Sequence, residues 1–242
     1  MAYGIISNNA DGEVVKPVFG GGFWVSLDRT MGWWPMIVGG FWVTIQISLG
    51  AVIIGLILGS IIAYFKMSRS IILRFIAFIY LGVIRGTPAV VQILLISFIF
   101  FSGFRGNRVW IGVVALGINS GAYVAEIIRA GILSIDKGQT EAGLSLGFTR
   151  FQTMWYIVRP QAVKNILPTY INEFIIMIKE TAIVGFVGIQ DLTRIGMQIQ
   201  TRTFDVMPLL VTAVIYLTLL SVLTMFLSLF EKRLRASDLE SK

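Results

Sequence analysis

The sequence contains no cysteine and no histidine. The first absence excludes disulfides and thiolate metal sites. The second excludes imidazole ligands and histidine-based acid–base catalysis. No lysine is followed by serine or threonine, so the Gly-Lys-Ser/Thr end of a nucleotide-binding P-loop is missing, and the chain by itself is not a P-loop ATPase. Charge is sparse too: 14% of the 242 residues are Asp, Glu, Lys or Arg, and none falls between Thr30 and Phe65.

What is abundant is apolar surface. The chain is 56% hydrophobic, with a mean hydropathy of +0.81. That composition belongs to an all-α integral membrane protein rather than to a soluble domain with a large core. The net charge of +7 invites a nucleic-acid reading. The basic residues are spread over segments flanking apolar runs, so membrane topology accounts for them better and no nucleic acid is expected. Asp11, Glu13 and Lys16 break up the first thirty residues, so no signal peptide is expected and the first span is taken as retained.

The apolar runs predict five spans. The first lies at roughly 36–64, preceded by Phe23, Trp24, Trp33 and Trp34 as an interfacial aromatic belt. The second occupies Ile71 to Phe101 and is interrupted at Arg85-Gly86-Thr87-Pro88, with Thr87 as N-cap and Pro88 in the first helical position. It reads either as one kinked helix or as an interfacial helix (71–84) followed by a short span (88–104), with the broken form and a cytoplasmic Arg85 preferred. The third span is 109–128, where Gly112, Ala115, Gly117 and Gly121 allow close packing and Glu126 with Arg129 forms an i,i+3 pair at the inner interface. The fourth, 163–187, contains Asn172, Glu173, Lys179 and Glu180; the last runs 206–230. Placing the amino terminus outside puts most of the basic residues inside, as the positive-inside rule asks. The expected organisation is an extracytoplasmic segment 1–33, a transmembrane domain 34–231 and a cytoplasmic tail 232–242.

Charge within a span is costly and normally faces a cavity or a partner. Asn172, Glu173, Ile176, Glu180 and Val184 share one helical stripe. It reads as the lining of a pathway in which Glu173 accepts an ammonium group; the other reading is a protonated Glu173, or one paired with a basic group on a neighbouring helix. Asn119, Ser120 and Tyr123 supply a second polar face, either for the same pathway or for hydrogen bonds between helices. Gln46 and Gln92 read as structural amides.

Between the third and fourth spans lies a polar stretch, Arg129 to Pro160. Thr140 is placed to cap a turn starting at Glu141, Gly147 to end a helix in left-handed conformation, and Thr149 with Gln152 to form a capping box. Phe151, Met154, Trp155 and Val158 then follow at helical spacing until Pro160 interrupts. The result is a helix-turn-helix with apolar residues on display at a membrane surface, either docking another protein or folded against its own spans.

Glu141-Ala142-Gly143, Gly147 and Ile157-x-x-Pro160 resemble the EAA motif of membrane subunits of bacterial ABC importers. The pattern is Glu-Ala-Ala, three residues, Gly, nine residues, Ile-x-Leu-Pro. Gly143 and Arg159 depart from it. Arg85-Gly86-Thr87-Pro88 with Gln92, Ala122 to Glu126 with Arg129, Asn172-Glu173-Phe174 and Lys179-Glu180-Thr181 are similar to the polar amino acid permease branch, over roughly 35–230. The resemblance implies a type I importer permease in the bacterial cell membrane, multi-pass, with a coupling loop at about 131–160. It implies a second permease subunit (the same chain or a paralogue), two cytoplasmic ATPase subunits and an extracytoplasmic solute-binding protein. ATP and Mg would be held by the ATPase, with no cofactor or metal in this chain. Glu141, Ala142, Gly143, Gly147 and Arg150 would couple to the ATPase, and Glu173, Asn172, Asn119, Ser120 and Tyr123 would face a polar or charged amino acid taken up by alternating access. The main alternative is a stand-alone secondary transporter or channel; a membrane enzyme lacks any catalytic cluster on a loop.

Overall fold

The computed structural model describes residues 7–8, 14–15, 22–103 and 105–239, with side chains over 22–103 and 105–232. The charged residues Asp11, Glu13 and Lys16, and the end of the tail from 240, lie outside the described residues. Apart from a two-residue antiparallel pairing of Ser7–Asn8 with Val14–Val15, the described residues form helices joined by short turns and loops.

A short amphipathic helix, α1 (Phe23–Met31), leads into α2 (Trp34–Met67). Phe23, Trp24 and Trp34 stand exposed there, as an aromatic belt requires. Among the described residues, three helices are long and apolar enough to cross a membrane: α2, α5 (Val109–Leu133) and the 207–232 part of α10 (Met207–Leu239). A fourth crossing is available in the broken pair α3 (Ile71–Gly86) and α4 (Ala89–Leu95), the latter prolonged by a π-helical turn at Ile96–Phe100. The two pieces of that pair are bent by 108°. The residues of the expected fourth span form α8 (Arg159–Glu180) and a 3-10 turn, Thr181–Val187; the charged and amide side chains of α8 make it less apolar than those three. The last helix does not stop near residue 230, because nothing in Glu231-Lys232-Arg233-Leu234-Arg235 breaks a helix, and its backbone continues to Leu239.

The structural axis is the pair α2 and α5. Their backbones approach closely because small residues alternate across the contact. A Cβ on Gly55 would sit 2.7 Å from Ser120, one on Gly59 2.7 Å from Val124, and one on Gly117 2.7 Å from Ile54. Small-residue seams of this kind give membrane helices their packing contact when apolar burial alone cannot favour protein over lipid. Ile47, Ala51, Leu116, Met177 and Val184 fill the core between this pair, α8 and the 3-10 turn.

Two breaks differ from their sequence reading. Thr87 does not cap α4: it closes α3, and its hydroxyl donates back to the Val83 carbonyl at 2.8 Å. The groups freed at the break are held instead by Gln92, whose Nε2 donates to Ile84 O (2.7 Å), Thr87 O (3.0 Å) and Thr87 Oγ1 (2.8 Å). Pro160 does not end its helix either. The chain passes from α7 (Arg150–Thr153) through a π-helical turn, Met154–Val158, straight into α8, with Pro160 at the start of the new α-helical stretch. The π-helical turn rearranges the hydrogen-bond ladder just before Pro160, which is where a helix can accommodate a residue without an N–H.

Candidate functional site

The buried polar residues of α5 and α8 meet. Ser120 Oγ donates to Glu173 Oε1 at 2.9 Å, and both side chains are buried. Asn119 Nδ2 donates to Gln92 Oε1 at 2.9 Å, so the amide that repairs the α3–α4 break also fixes Asn119. Two tyrosines brace the surrounding backbone: Tyr170 donates to Val52 O at 2.9 Å and Tyr80 to Ile118 O at 2.5 Å. Between these groups lies a cavity of about 380 Å³, within the size range of small-molecule sites.

Glu173, Glu180, Asn119 and Tyr123 line this cavity, with Thr87 from the break and Ile176 completing the wall. Neither lysine nor arginine is among its lining residues. Arg85 stands behind the wall residue Tyr123, its guanidinium 6.0 Å from the centre of that ring. A cavity with two carboxylates, an amide and a phenol favours a ligand carrying positive charge. Ser120 touches Glu173 from behind rather than lining the space. Asn172 is exposed and outside the lining, because its position is about 100° around the helix from Glu173. Val184, the last member of the expected stripe, is fully buried in the apolar core. Gln92 and Thr87 are not legible as site residues, since their role comes from the α3–α4 break and from Asn119, 27 residues beyond Gln92 in sequence.

The Arg129–Pro160 stretch folds as two helical pieces around a tight turn. Its first helix, α6, runs Lys137–Ser145, one turn earlier than Thr140 would have it: Asp136 is the N-cap and accepts from Gly138 N at 2.7 Å. Gly147 has φ +84°, and Phe148 N bonds Gly143 O (3.1 Å) while Gly147 N bonds Leu144 O (3.0 Å). That double bond pattern is a Schellman motif, and the left-handed residue it needs is the glycine. Thr149 and Gln152 then form the expected reciprocal capping box. Gly143 is buried against the returning helix; a Cβ there would lie 2.7 Å from both Ile157 and Thr153. Glu141, Ala142 and Arg150 are exposed. So is an apolar row, with Leu146 at 76%, Phe151 at 75% and Tyr156 at 65% exposure. Phe151 stacks on Trp155 at 6.1 Å and Arg159 covers the same indole at 3.9 Å.

The sequence matches a family described as the inner membrane component of binding-protein-dependent transport systems, over residues 51–236. The chain belongs to this family. It is 41% identical over 207 residues to the arginine transport system permease protein ArtQ of Bacillus subtilis, a match covering 84% of this chain and 94% of that protein. It is 37% identical over 205 residues to the glutamine transport system permease protein GlnP of Escherichia coli K12, covering 83% and 94%. Among solved structures, an amino acid ABC transporter determined with histidines superposes with a TM-score of 0.80 at 44% identity, over 86% of this chain and 98% of that one. The membrane subunit of the MetNI methionine ABC transporter, in an inward-facing form, shares the fold alone: TM-score 0.71 at 19% identity, over 84% and 97%. The protein is thus a permease subunit of a polar amino acid ABC importer, a class that works with an ATPase and a binding protein.

Two further features of this permease bear on chemistry. Glu126 pairs with Arg129 (2.8 Å), with Arg85 (3.6 Å) and with Lys66, so the expected i,i+3 pair is part of a cluster joining α2, α3 and α5. Gly143-Leu144-Ser145-Leu146-Gly147 has the letter spacing of a hydrolase nucleophile elbow. It lies at a helix end rather than on a strand-to-helix turn, and the chain has no histidine to activate Ser145.

Proposed function

We propose that the chain is the five-span permease subunit of an ATP-driven importer, with its amino terminus outside, and that it takes up a polar or charged amino acid by alternating access. The cavity between α5 and α8 is the substrate site. Glu173 receives the ammonium group or a basic side chain, Glu180 adds a second negative charge, and Asn119 and Tyr123 supply hydrogen bonds. Ser120 acts as the positioning residue that holds Glu173. The observation that carries this is the composition of the cavity wall: two carboxylates and no cation, inside an apolar bundle. Alternating access at a midplane site between helices, one of them broken, is a general solution for membrane transport.

The helix-turn-helix from Lys137 to Pro160 docks a cytoplasmic ATPase subunit, which binds ATP and Mg. Its exposed apolar row and rigid double cap support this role. A second permease, identical or paralogous, completes the pathway, and an extracytoplasmic binding protein delivers substrate. The test is uptake by the reconstituted complex. Wild-type uptake requires ATP and the partner ATPase, and Glu173→Ala lowers it about a hundredfold while leaving assembly intact. Undiminished uptake by Glu173→Ala sinks the site. Uptake by the permease alone, driven by an ion gradient, sinks the ABC reading in favour of a secondary transporter.

A further inference from the structure

A second cavity lies on the other side of Arg85. It has a volume of about 640 Å³ and runs along one face of α3, bounded by the end of α2 and by Glu126 of α5. Its wall divides into two kinds of surface. Ile71, Phe75 and Phe78 provide an apolar floor and are 60–73% exposed. Lys66, Arg74 and Arg85 provide the charge, against the single carboxylate of Glu126. Lys66 and Arg85 both contact that carboxylate, and Arg129 claims it as well. One negative charge shared by three cations leaves the rim positive. Arg74 is exposed and forms no ion pair among the described residues.

The helix that carries this wall is amphipathic and bent by 108° from α4, so it does not continue the direction of the crossing. Ala77 and Leu81 bury one face against Ile62, Ala63 and Ala125, with Tyr80 and Ile84 partly covered beside them, while Ile71, Phe75 and Phe78 stay exposed. A positively charged rim over an apolar trough, at the inner ends of membrane helices, matches a phospholipid in both its parts.

We propose that this trough binds an anionic phospholipid of the cytoplasmic leaflet. The headgroup phosphate sits among Arg74, Arg85 and Lys66, and an acyl chain runs along Phe75 and Phe78. The proposal rests on the topology proposed above, which puts the α2–α3 corner on the cytoplasmic side. A lipid here would reach Arg85 and Glu126, and through Arg85 the wall residue Tyr123 of the substrate cavity. Lipid charge would thereby act on transport without entering the pathway.

The experiment uses the full-length chain purified with its co-expressed partner subunits, doped with phosphatidylglycerol or phosphatidylcholine and weighed by native mass spectrometry. The complex is expected to retain phosphatidylglycerol preferentially. Arg74→Gln should reduce that preference about fivefold, the effect of one surface cation, and Arg74→Lys should preserve it. Equal retention of the two lipids by the wild type, or an unchanged preference in Arg74→Gln, overturns the proposal; the wild-type comparison decides even if the variant fails to assemble. Displacement of phosphatidylglycerol by millimolar inorganic phosphate would assign the rim to a free anion and also overturn it. The natural absence of cysteine permits one more check: a disulfide between two Phe78→Cys chains in the membrane would give the trough to a second copy and overturn the lipid assignment. Uptake into vesicles of each lipid reports separately on the transport reading. Uptake without any lipid preference sinks only the lipid site, and lipid preference without uptake sinks only the transport reading.

Discussion

The Glu173 cavity and the Lys137–Pro160 loop depart from their surroundings in opposite directions. The cavity collects carboxylates and an amide within an apolar bundle. The loop holds Leu146, Phe151 and Tyr156 largely exposed in a stretch that also carries Lys137, Glu141 and Arg150. They differ in what stands behind them. The cavity residues are tied to the chain's own groups, Glu173 to Ser120 and Asn119 to Gln92. The loop's backbone is tied just as firmly, by two caps and a left-handed glycine, while Leu146, Phe151 and Tyr156 keep most of their surface open, Phe151 touching Trp155 of its own loop. A polar group buried in a span is a place for a ligand, and an apolar group held rigidly in the open is a place for a partner. Substitutions should therefore separate: cavity changes affect substrate, loop changes affect coupling.

The largest effect is expected at Glu173. Removing a carboxylate that pairs with a buried ammonium group costs about a hundredfold, read as uptake by Glu173→Ala complexes with ATPase binding unchanged. Loss of ATPase binding in that variant would collapse the distinction between the two regions. Gly143→Ala comes next. The new methyl meets Thr153 and Ile157 at 2.7 Å, and overpacking of this kind costs about 1–3 kcal/mol. ATPase binding by Gly143→Ala should weaken and be restored when Thr153→Ser and Ile157→Val make room; failure of the rescue would show that the clash is not the cause. Gly147→Val forces a β-branched residue to φ +84°, a strain of about 1–2 kcal/mol. The number of ATP molecules hydrolysed per substrate imported should rise, with substrate affinity unaltered. The smallest effect is Thr149→Ala, which removes half of the capping box for about 1 kcal/mol. Faster amide exchange confined to residues 150–153 is the expected signature, and exchange spreading into the cavity helices would contradict it.

Much of this contrast was legible from residue order, because caps are local. Thr149 with Gln152 and the glycine at 147 are signals carried within four residues, and they appear where expected. The misplaced start of α6 is also a local error: Asp136 precedes Thr140 and its carboxylate reaches Gly138 N first. What could not be read is what depends on distant pairing. Gln92 looked like a lone amide because its four partners include a break and a residue 27 positions away. Lys66 gave no hint of Glu126, 60 residues on. Asn172 shared a sequence neighbourhood with Glu173 but not a helix face, so adjacency misled where a strict angular reading would not have. The number of spans is hardest to read, since α8 carries charges that lower its hydropathy, of which Glu173 is sheltered by packing against α5 while Lys164 and Lys179 are exposed.

The uninterrupted passage through Pro160 has a mechanical consequence. Because the π-helical turn lets α7 run into α8, Phe151 and Glu173 belong to one continuous helical stretch, with Pro160 at its junction and Pro168 inside α8. At a rise of 1.5 Å per residue they stand about 33 Å apart along it. A rod of that length turns a small tilt into a large displacement. Five degrees at the loop end, pivoting there, sweeps the far end through about 3 Å, the width of one hydrogen bond. A partner pressing on Phe151 would need no chain of relayed side-chain movements to shift the carboxylate of Glu173; it would need leverage through a helix that stays stiff across Pro168.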